Sequence, residues 1–456
     1  MDAATEKKAN MPTHLRQRRG ASITGRYAVH IENPIYNLRE TDYALVVRGI
    51  DPKERDPGMI KRQMSSLLKD RAGRYPVVTL TGPRQSGKTT ISRATFPNAA
   101  YVNLEEPDQR DYALSDPREF LARFDDRVII DEVQRVPDLF SYIQAVVDEE
   151  DRPGRFILTG SHNFLLMKSI RQTLAGRAAI LHLLPLSGSE LASRRPAPLE
   201  RLGTWSPSKD ASPETDLLDV LFVGGYPRIH DKGLMPQDWL ANYVRTYIER
   251  DVGEILNVGD LEAFRRFVSL CAGRNAQVLN LSSLANDCGI THPTARSWLS
   301  VLEAGFLVRL LRPHHRNFNK RLVKSPKLYF LDTGLLCYLL RIRSAEDLRN
   351  HAQRGGVFES HVHAELVKNF LNRGLEPDLY FWRDSRGNEV DFVLDQGDRS
   401  LPIEVKSART IAADFFSSLH YWRGQAGDPK APAALVYGGD DNLKREDVRV
   451  YSWSVL

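Results

Sequence analysis

The sequence predicts an α/β protein of several domains: a parallel sheet covered by helices, a helical and winged-helix middle, and a C-terminal α/β unit. Three observations predict it. Short apolar segments alternate with helical ones from Met59 to Leu158, a helix–turn–helix rhythm occupies Leu281–Leu310, and past Gly355 one helix leads into three strands. The chain has 456 residues, more than one hydrophobic core organises.

Taken in order, Met59–Asp70 reads as an amphipathic helix. Strands follow at Val77–Leu80, Ala100–Leu104, Arg127–Ile130 and Arg155–Leu158, separated by helical stretches such as Asp116–Phe124 and Leu139–Glu150. Strands that alternate with helices imply a parallel sheet buried on both faces. Residues 195–215 are rich in Pro, Ser and charge, which predicts a loop or linker. A mostly helical region spans 216–275 and a winged helix 276–345. The last unit, 355–456, begins with a helix at Val357–Leu371 and continues with strands at Leu379–Trp382, Glu389–Leu394 and Leu401–Lys406.

Hydrophobic residues make up 42% of the chain and charged residues 27%, with a net charge of +5. That mild excess permits an acidic partner such as nucleic acid without requiring one. Cys271, Cys288 and Cys337 show no CxxC spacing, which argues against a disulfide framework or a zinc site and fits a reducing cytoplasm. No apolar run approaches the roughly 20 residues that cross a bilayer, so no membrane partner is expected. Residues 1–58 read as a basic extension without fixed structure, Lys7, Lys8, Arg16, Arg18, Arg19 and Arg26 standing against Asp2 and Glu6. They lack the apolar core of a secretion signal. A start codon further downstream is the other reading.

The segment TGPRQSGKTT holds the strongest local pattern. Gly82, Gly87, Lys88 and Thr89 satisfy G-x-x-x-x-G-K-[ST] between a strand and a helix, the context in which such a loop cradles phosphates. Glycines let backbone N–H groups turn inward, and the helix N-terminus adds positive potential. Gly82, Pro83, Arg84, Gln85, Ser86, Gly87, Lys88, Thr89 and Thr90 are therefore expected to hold ATP. Lys88 would reach the β- and γ-phosphates, and Thr89 would offer its hydroxyl to Mg²⁺. Downstream, Val128-Ile129-Ile130 runs into Asp131-Glu132. An acid at a strand tip beside such a loop holds Mg²⁺ through water, so Asp131 is assigned to the metal and Glu132 to a general base. Ser161 would sense the γ-phosphate or orient water, or simply cap the next helix. Arg177 would act in trans on a neighbouring subunit, implying a homo-oligomer; a solvated or ion-paired arginine is the alternative.

TGPRQSGKTT, VIIDEVQRVPDLF, FILTGSHNFLL, LAGR, VGGYPR, YIERDV and VFESHVHAEL together resemble the bacterial and archaeal AAA-type ATPases that carry a C-terminal domain of unknown function. The resemblance runs from about Met59 to Gly438 and leaves out 195–215. It implies a nucleotide-binding AAA-type domain at 59–194 and a cytoplasmic prokaryotic protein.

Two further constellations concern nucleic acid. Leu281–Ala285, the turn Cys288-Gly289-Ile290 and Thr291–Leu302 have helix-turn-helix spacing, suited to a DNA major groove. The segment between the following strands carries Arg312, Arg316, Lys320, Arg321, Lys324 and Lys327, with His314, His315 and Phe318 interleaved and no acid. Such a wing would contact phosphates, although winged helices also serve as packing or protein-binding modules. In FWRDSRGNEVDFVLDQGDRSLPIEVKSA, strand alternation places Glu389 and Asp391 on one face and Val390, Phe392 and Leu394 on the other. It likewise pairs Glu404 with Lys406. Asp391, Glu404 and Lys406, completed by Glu359, would bind Mg²⁺ and activate water. This resembles the PD-(D/E)xK nuclease superfamily and its restriction-endonuclease-like fold, with Val390 in place of the motif's Pro. A nuclease-like fold that only binds, or a surface ion-pair ladder, is the alternative. Two functions follow: an ATP-driven DNA-processing enzyme, either motor or gated nuclease, or a nucleotide-dependent switch that holds a protein partner or an operator.

Overall fold

A computed structural model describes residues 59–161, 172–207, 215–252, 260–314 and 323–456, with only the backbone of 249–252. Strands β1 (Val77–Thr81), β2 (Ala100–Asn103), β3 (Val128–Asp131), β4 (Phe156–Gly160) and β5 (Ala178–His182) form one sheet in the order β2-β3-β4-β1-β5. Every pairing is parallel. β1, β3 and β4 are buried along their whole length, as continuous apolar runs demand when helices cover both faces. The fifth strand, Ala178–His182, has no counterpart among the sequence-predicted strands. Its two alanines give little strand propensity, and the pairing with β1 imposes the conformation.

From β1 the chain crosses to the far edge, β2, and works back through β3 to β4. From β4 it passes over β1 to β5. The connections thus diverge on either side of the β1–β4 pair, and the crevice beyond the carboxyl ends of these strands is where such sheets bind ligands. The first helix begins at Ser65, later than the predicted Met59, so 59–64 precede it as a separate strap.

Three antiparallel strands, β6 (Gln277–Val278), β7 (Val308–Leu311) and β8 (Lys327–Phe330), accompany the middle helices in the order β6-β8-β7. Helix Leu281–Cys288 ends at Gly289 in the left-handed region (φ 71°), and the next, His292–Ala304, starts where the Thr291 side chain accepts from Thr294 N–H. Both signals are local, which is why the pair is legible. Of the predicted wing, His315, Arg316, Phe318, Lys320 and Arg321 lie outside the described residues, as do the basic extension 1–58 and 208–214. Lys327 departs from the prediction: it is only 2% exposed and belongs to the interior.

The C-terminal sheet adds β9 (Leu379–Arg383), β10 (Glu389–Asp395), β11 (Ser400–Lys406), β12 (Ala434–Tyr437), β13 (Leu443–Arg445) and β14 (Val448–Ser452), ordered β13-β14-β12-β11-β10-β9 with mixed directions. The long helix Arg354–Asn372 covers one face and Ser417–Ala426 the other. One apolar core runs from Leu184 through the middle helices to Leu456. The segment expected to be a bare linker joins it: Ala197, Leu199 and Leu202 are buried, and the Tyr451 hydroxyl donates to the Leu202 and Trp205 carbonyls. The His314 N–H donates to Phe381 O at 2.7 Å and the Phe381 N–H to Arg312 O at 3.1 Å, linking the middle sheet to β9.

β10 carries a bulge. Val390 faces Trp382, but Val393 faces Tyr380, so three steps on β10 match two on β9. Strict alternation therefore fails. Val390 and Val393 pack with Trp382 and Leu419, whereas Phe392 and Leu394 pack in the other core. The prediction that Val390 shares a face with Phe392 and Leu394 is corrected accordingly. Among the described residues no helix is long and apolar enough to cross a membrane.

Candidate active site

β1 ends at Thr81 and the helix restarts at Lys88, so the intervening loop must reverse within six residues. Gly82 has no room for a side chain, since a Cβ there would lie 2.1 Å from the Leu183 carbonyl oxygen. Gly87 adopts φ 92° and Gln85 φ 66°, conformations that glycine tolerates and that turn successive N–H groups to one side. The Lys88 ammonium donates to the Gly82 and Pro83 carbonyls at 3.0 and 2.9 Å. Burial lowers its pKa to about 8, opposed by the charges of Glu132 and Asp131.

At the tip of β3, Thr89 Oγ1 donates to Asp131 Oδ2 at 2.6 Å and the Tyr101 hydroxyl donates to the same oxygen at 3.1 Å. Thr159, at the end of β4, donates to Asp131 Oδ1. The burial of Tyr101 and the adjacent Asp131 charge push its phenol well above the ordinary range. Glu132 follows in the left-handed region at φ 52°, an uncommon conformation for a side-chain-bearing residue that the surroundings must enforce. Its Oε2 accepts from Gln134 and from the Ser161 hydroxyl, the latter at 3.1 Å. Ser161 thus sits against the acid as a positioning group. Lys88, Thr89, Asp131 and Glu132 line one cleft of about 880 Å³, together with Arg84, Gln85, Gly87 and Thr90.

These residues fit a magnesium nucleotide. A hydroxyl and a carboxylate 2.6 Å apart are hard oxygen donors of the kind Mg²⁺ takes, and a cationic side chain and backbone N–H groups surround the space beside them. Arg84 lies at the rim, 3.3 Å from Glu105. Arg177 is elsewhere, bound through its guanidinium to Asp148 at 3.0 Å on the surface, and the structure does not bring it to the cleft of its own chain. Sequence reasoning missed Arg62, Tyr101, Gln134, Thr159 and Arg228. Arg62 and Arg228 line the cleft but come from distant segments. Thr159 had a signal, the strand tip that also pointed to Ser161.

The C-terminal constellation also assembles. Past the pair Phe392–Ile403 the two strands part, and Asp391 accepts the Val405 N–H at 2.8 Å in place of a ladder bond. Lys406 Nζ donates to Glu404 Oε1 at 2.6 Å, and Ser418 donates to Glu404 Oε2 at 2.6 Å. Lys327 reaches in from β8, donating to Glu359 at 3.0 Å and pairing with Glu389. Burial and the Asp391 charge raise the pKa of Glu359 to about 7 and that of Glu404 to about 8. Lys327 and Lys406 stand among these carboxylates, and their charge only partly offsets that rise. Among the described residues no group of three or more His, Cys, Asp or Glu side chains is arranged to hold a metal ion.

A family model described as AAA domain matches residues 74–192. Two others, each described as a domain of unknown function, match 214–346 (DUF8612) and 354–456 (DUF4143). The Uncharacterized protein Rv2008c of Mycobacterium tuberculosis is 30% identical over 393 residues, 86% of this chain and 82% of that protein. The Uncharacterized protein MJ1544 of Methanocaldococcus jannaschii is 22% identical over 335 residues, 70% and 72% of the two chains. Among solved structures, the Walker-type ATPase PABY2304 of Pyrococcus abyssi is 17% identical with a TM-score of 0.39, covering 64% of this chain and 99% of that one. A single-substitution variant of RuvB of Thermotoga maritima is 19% identical with a TM-score of 0.26, covering 54% and 87%. Both structural likenesses are loose. The phosphate-loop cleft, the AAA domain match and the identity shared along most of two chains lead to one assignment: this protein carries an AAA-type P-loop ATPase domain and belongs to the family of the mycobacterial protein Rv2008c.

Proposed function

We propose that the protein binds ATP in the cleft beyond β1, β3 and β4 and hydrolyses it. The observation that carries this is the convergence of Lys88, Thr89 and Asp131 at one cleft mouth, with Glu132 beside them. Thr89 and Asp131 would hold Mg²⁺, which supplies charge neutralisation on the phosphates. Gly87 and the helix start offer N–H groups to the phosphate oxygens, and Lys88 exchanges its two loop carbonyls for them. Glu132, its Oε2 fixed by Ser161 and Gln134, takes the proton of the attacking water. The test is Mg²⁺-dependent phosphate release by purified protein. Release should vanish in Lys88→Ala; equal release by wild type and Lys88→Ala would assign the activity to a contaminant.

Turnover would serve either DNA processing, as a motor or a gated nuclease, or a regulatory switch that holds a protein partner or an operator. The helix-turn-helix pair supports the DNA reading. The Lys327 ammonium between Glu359 and Glu389 favours the switch, because it supplies there positive charge that nuclease chemistry would draw from a metal. Phosphate release measured with and without duplex, single-stranded and junction DNA separates the two. Stimulation by DNA supports processing, and release indifferent to every DNA supports the switch.

A further inference from the structure

Arg62 lies outside the residues matched by the AAA domain, yet its guanidinium is buried beside the phosphate loop. Three of its nitrogens are engaged. Nη1 donates to Ser86 O at 2.7 Å, Nη2 to Leu184 O at 2.7 Å, and Nε to Glu190 Oε1 at 3.0 Å. Ser86 O and the Gly87 N–H belong to one trans peptide, in which carbonyl and N–H point in opposite directions. A donor that holds the carbonyl outward therefore holds the Gly87 N–H the other way. Gly87 would otherwise let this peptide rotate freely, since glycine populates both signs of φ.

Glu190 is itself fixed. It completes a capping box, accepting from Ser187 N while Ser187 Oγ accepts from Glu190 N, and its Oε1 also takes the Gln63 N–H at 2.8 Å. Its side chain is fully buried. The turn that carries it is gripped from behind by the C-terminal helix. Glu365 accepts the Gly188 N–H at 2.8 Å, and Lys368 donates to Leu186 O at 2.9 Å and to Glu365 at 2.8 Å. A continuous buried polar chain thus runs from the phosphate loop through Arg62 and Glu190 to helix Arg354–Asn372.

We propose that Arg62 is a positioning residue for nucleotide binding: it sets the Ser86–Gly87 peptide so that the Gly87 N–H serves phosphate, and it does so from a footing on Glu190 and the C-terminal helix. The proposal rests on the nucleotide reading of the cleft. A merely structural arginine would affect folding alone, whereas a positioning one changes affinity in protein that remains folded.

The experiment uses the full chain and a fluorescent ATP analogue with Mg²⁺. Arg62→Lys keeps the charge opposite Glu190 but cannot span all three acceptors, because an ammonium lacks the planar fork. The double variant Arg62→Gln/Glu190→Gln removes both charges together and so leaves neither uncompensated. Each is expected to keep the wild-type circular dichroism spectrum and to bind the analogue on the order of tenfold more weakly, the loss of a hydrogen bond to a charged group. The nucleotide-induced rise in Tm should shrink in parallel. Should the double variant fail to fold, Arg62→Lys decides. Wild-type affinity in folded Arg62→Lys overturns the proposal. Absence of analogue binding by wild-type protein overturns instead the nucleotide reading beneath it.

Discussion

Lys88 gives the cleft a pH limit. Its folded pKa of about 8 lies below the ordinary 10.5, so the ammonium is charged below about 8 and neutral above it. Nucleotide affinity should therefore fall as pH rises through about 8 to 9, and a titration of ADP binding at fixed Mg²⁺ checks this. The same shift makes the folded state bind fewer protons than the unfolded chain between about 8 and 10.5. This residue's contribution to stability thus rises with pH across that window. Glu132 separates binding from chemistry. Glu132→Gln keeps the amide oxygen that Ser161 and Gln134 can approach but cannot take a proton. Hydrolysis should drop roughly 10²–10⁴-fold with nucleotide affinity little changed, measured as single-turnover phosphate release against equilibrium binding. Loss of both together would place Glu132 in binding.

At the scale of elements, legibility followed sequence distance. The phosphate loop, the Asp131-Glu132 strand tip and the helix pair Leu281–Cys288 and His292–Ala304 are each written within a few neighbouring residues, and sequence reasoning placed these elements. Arg62 and Glu190 are 128 positions apart, and nothing near either predicts the other. The faces of β10 were misread because a period of two assumes an unbroken ladder, and the bulge breaks it. Lys327 was grouped with the wing because basic residues precede it, although its side chain turns inward to Glu359 and Glu389. That inward turn predicts a stability effect. Lys327→Met would take from two half-buried carboxylates the ammonium they share and should cost about 1–3 kcal/mol in urea unfolding. A smaller loss would mean that Arg383, 3.2 Å from Glu389, carries the compensation. Glu404 adds a pH signature of opposite sign to Lys88. Its folded pKa is raised to about 8 from 4.5, so the folded state retains a proton that the unfolded chain releases. Its contribution to stability is lost as pH rises from about 4.5 to 8, and Glu404→Gln should flatten that part of the Tm profile.

For the whole molecule, the predicted boundaries suggest separable units, but the packing argues otherwise. The core that starts at Leu184 also contains Phe264, Trp298, Phe358 and Tyr451. Even residues 195–207, too polar to advertise a core, anchor three apolar side chains in it. A chain ending at 353 would expose one side of this core together with the turn that Lys368 and Glu365 hold. It is expected to be insoluble or molten, read by loss of near-ultraviolet circular dichroism, and to bind nucleotide poorly. A well-folded, nucleotide-binding fragment of that length would show that the last domain is an independent passenger.

The extra residue in β10 has a consequence that substitutions would not reveal. It puts Asp391 where a ladder bond should be and lets its carboxylate claim the amide of Val405. Excising Asp391 would restore regular pairing with Val390 still opposite Trp382 and Glu389 still opposite Arg383, so both faces would survive and the carboxylate at the Val405 amide would be lost. In that short stretch the surplus residue adds a polar contact without turning over either side of the sheet.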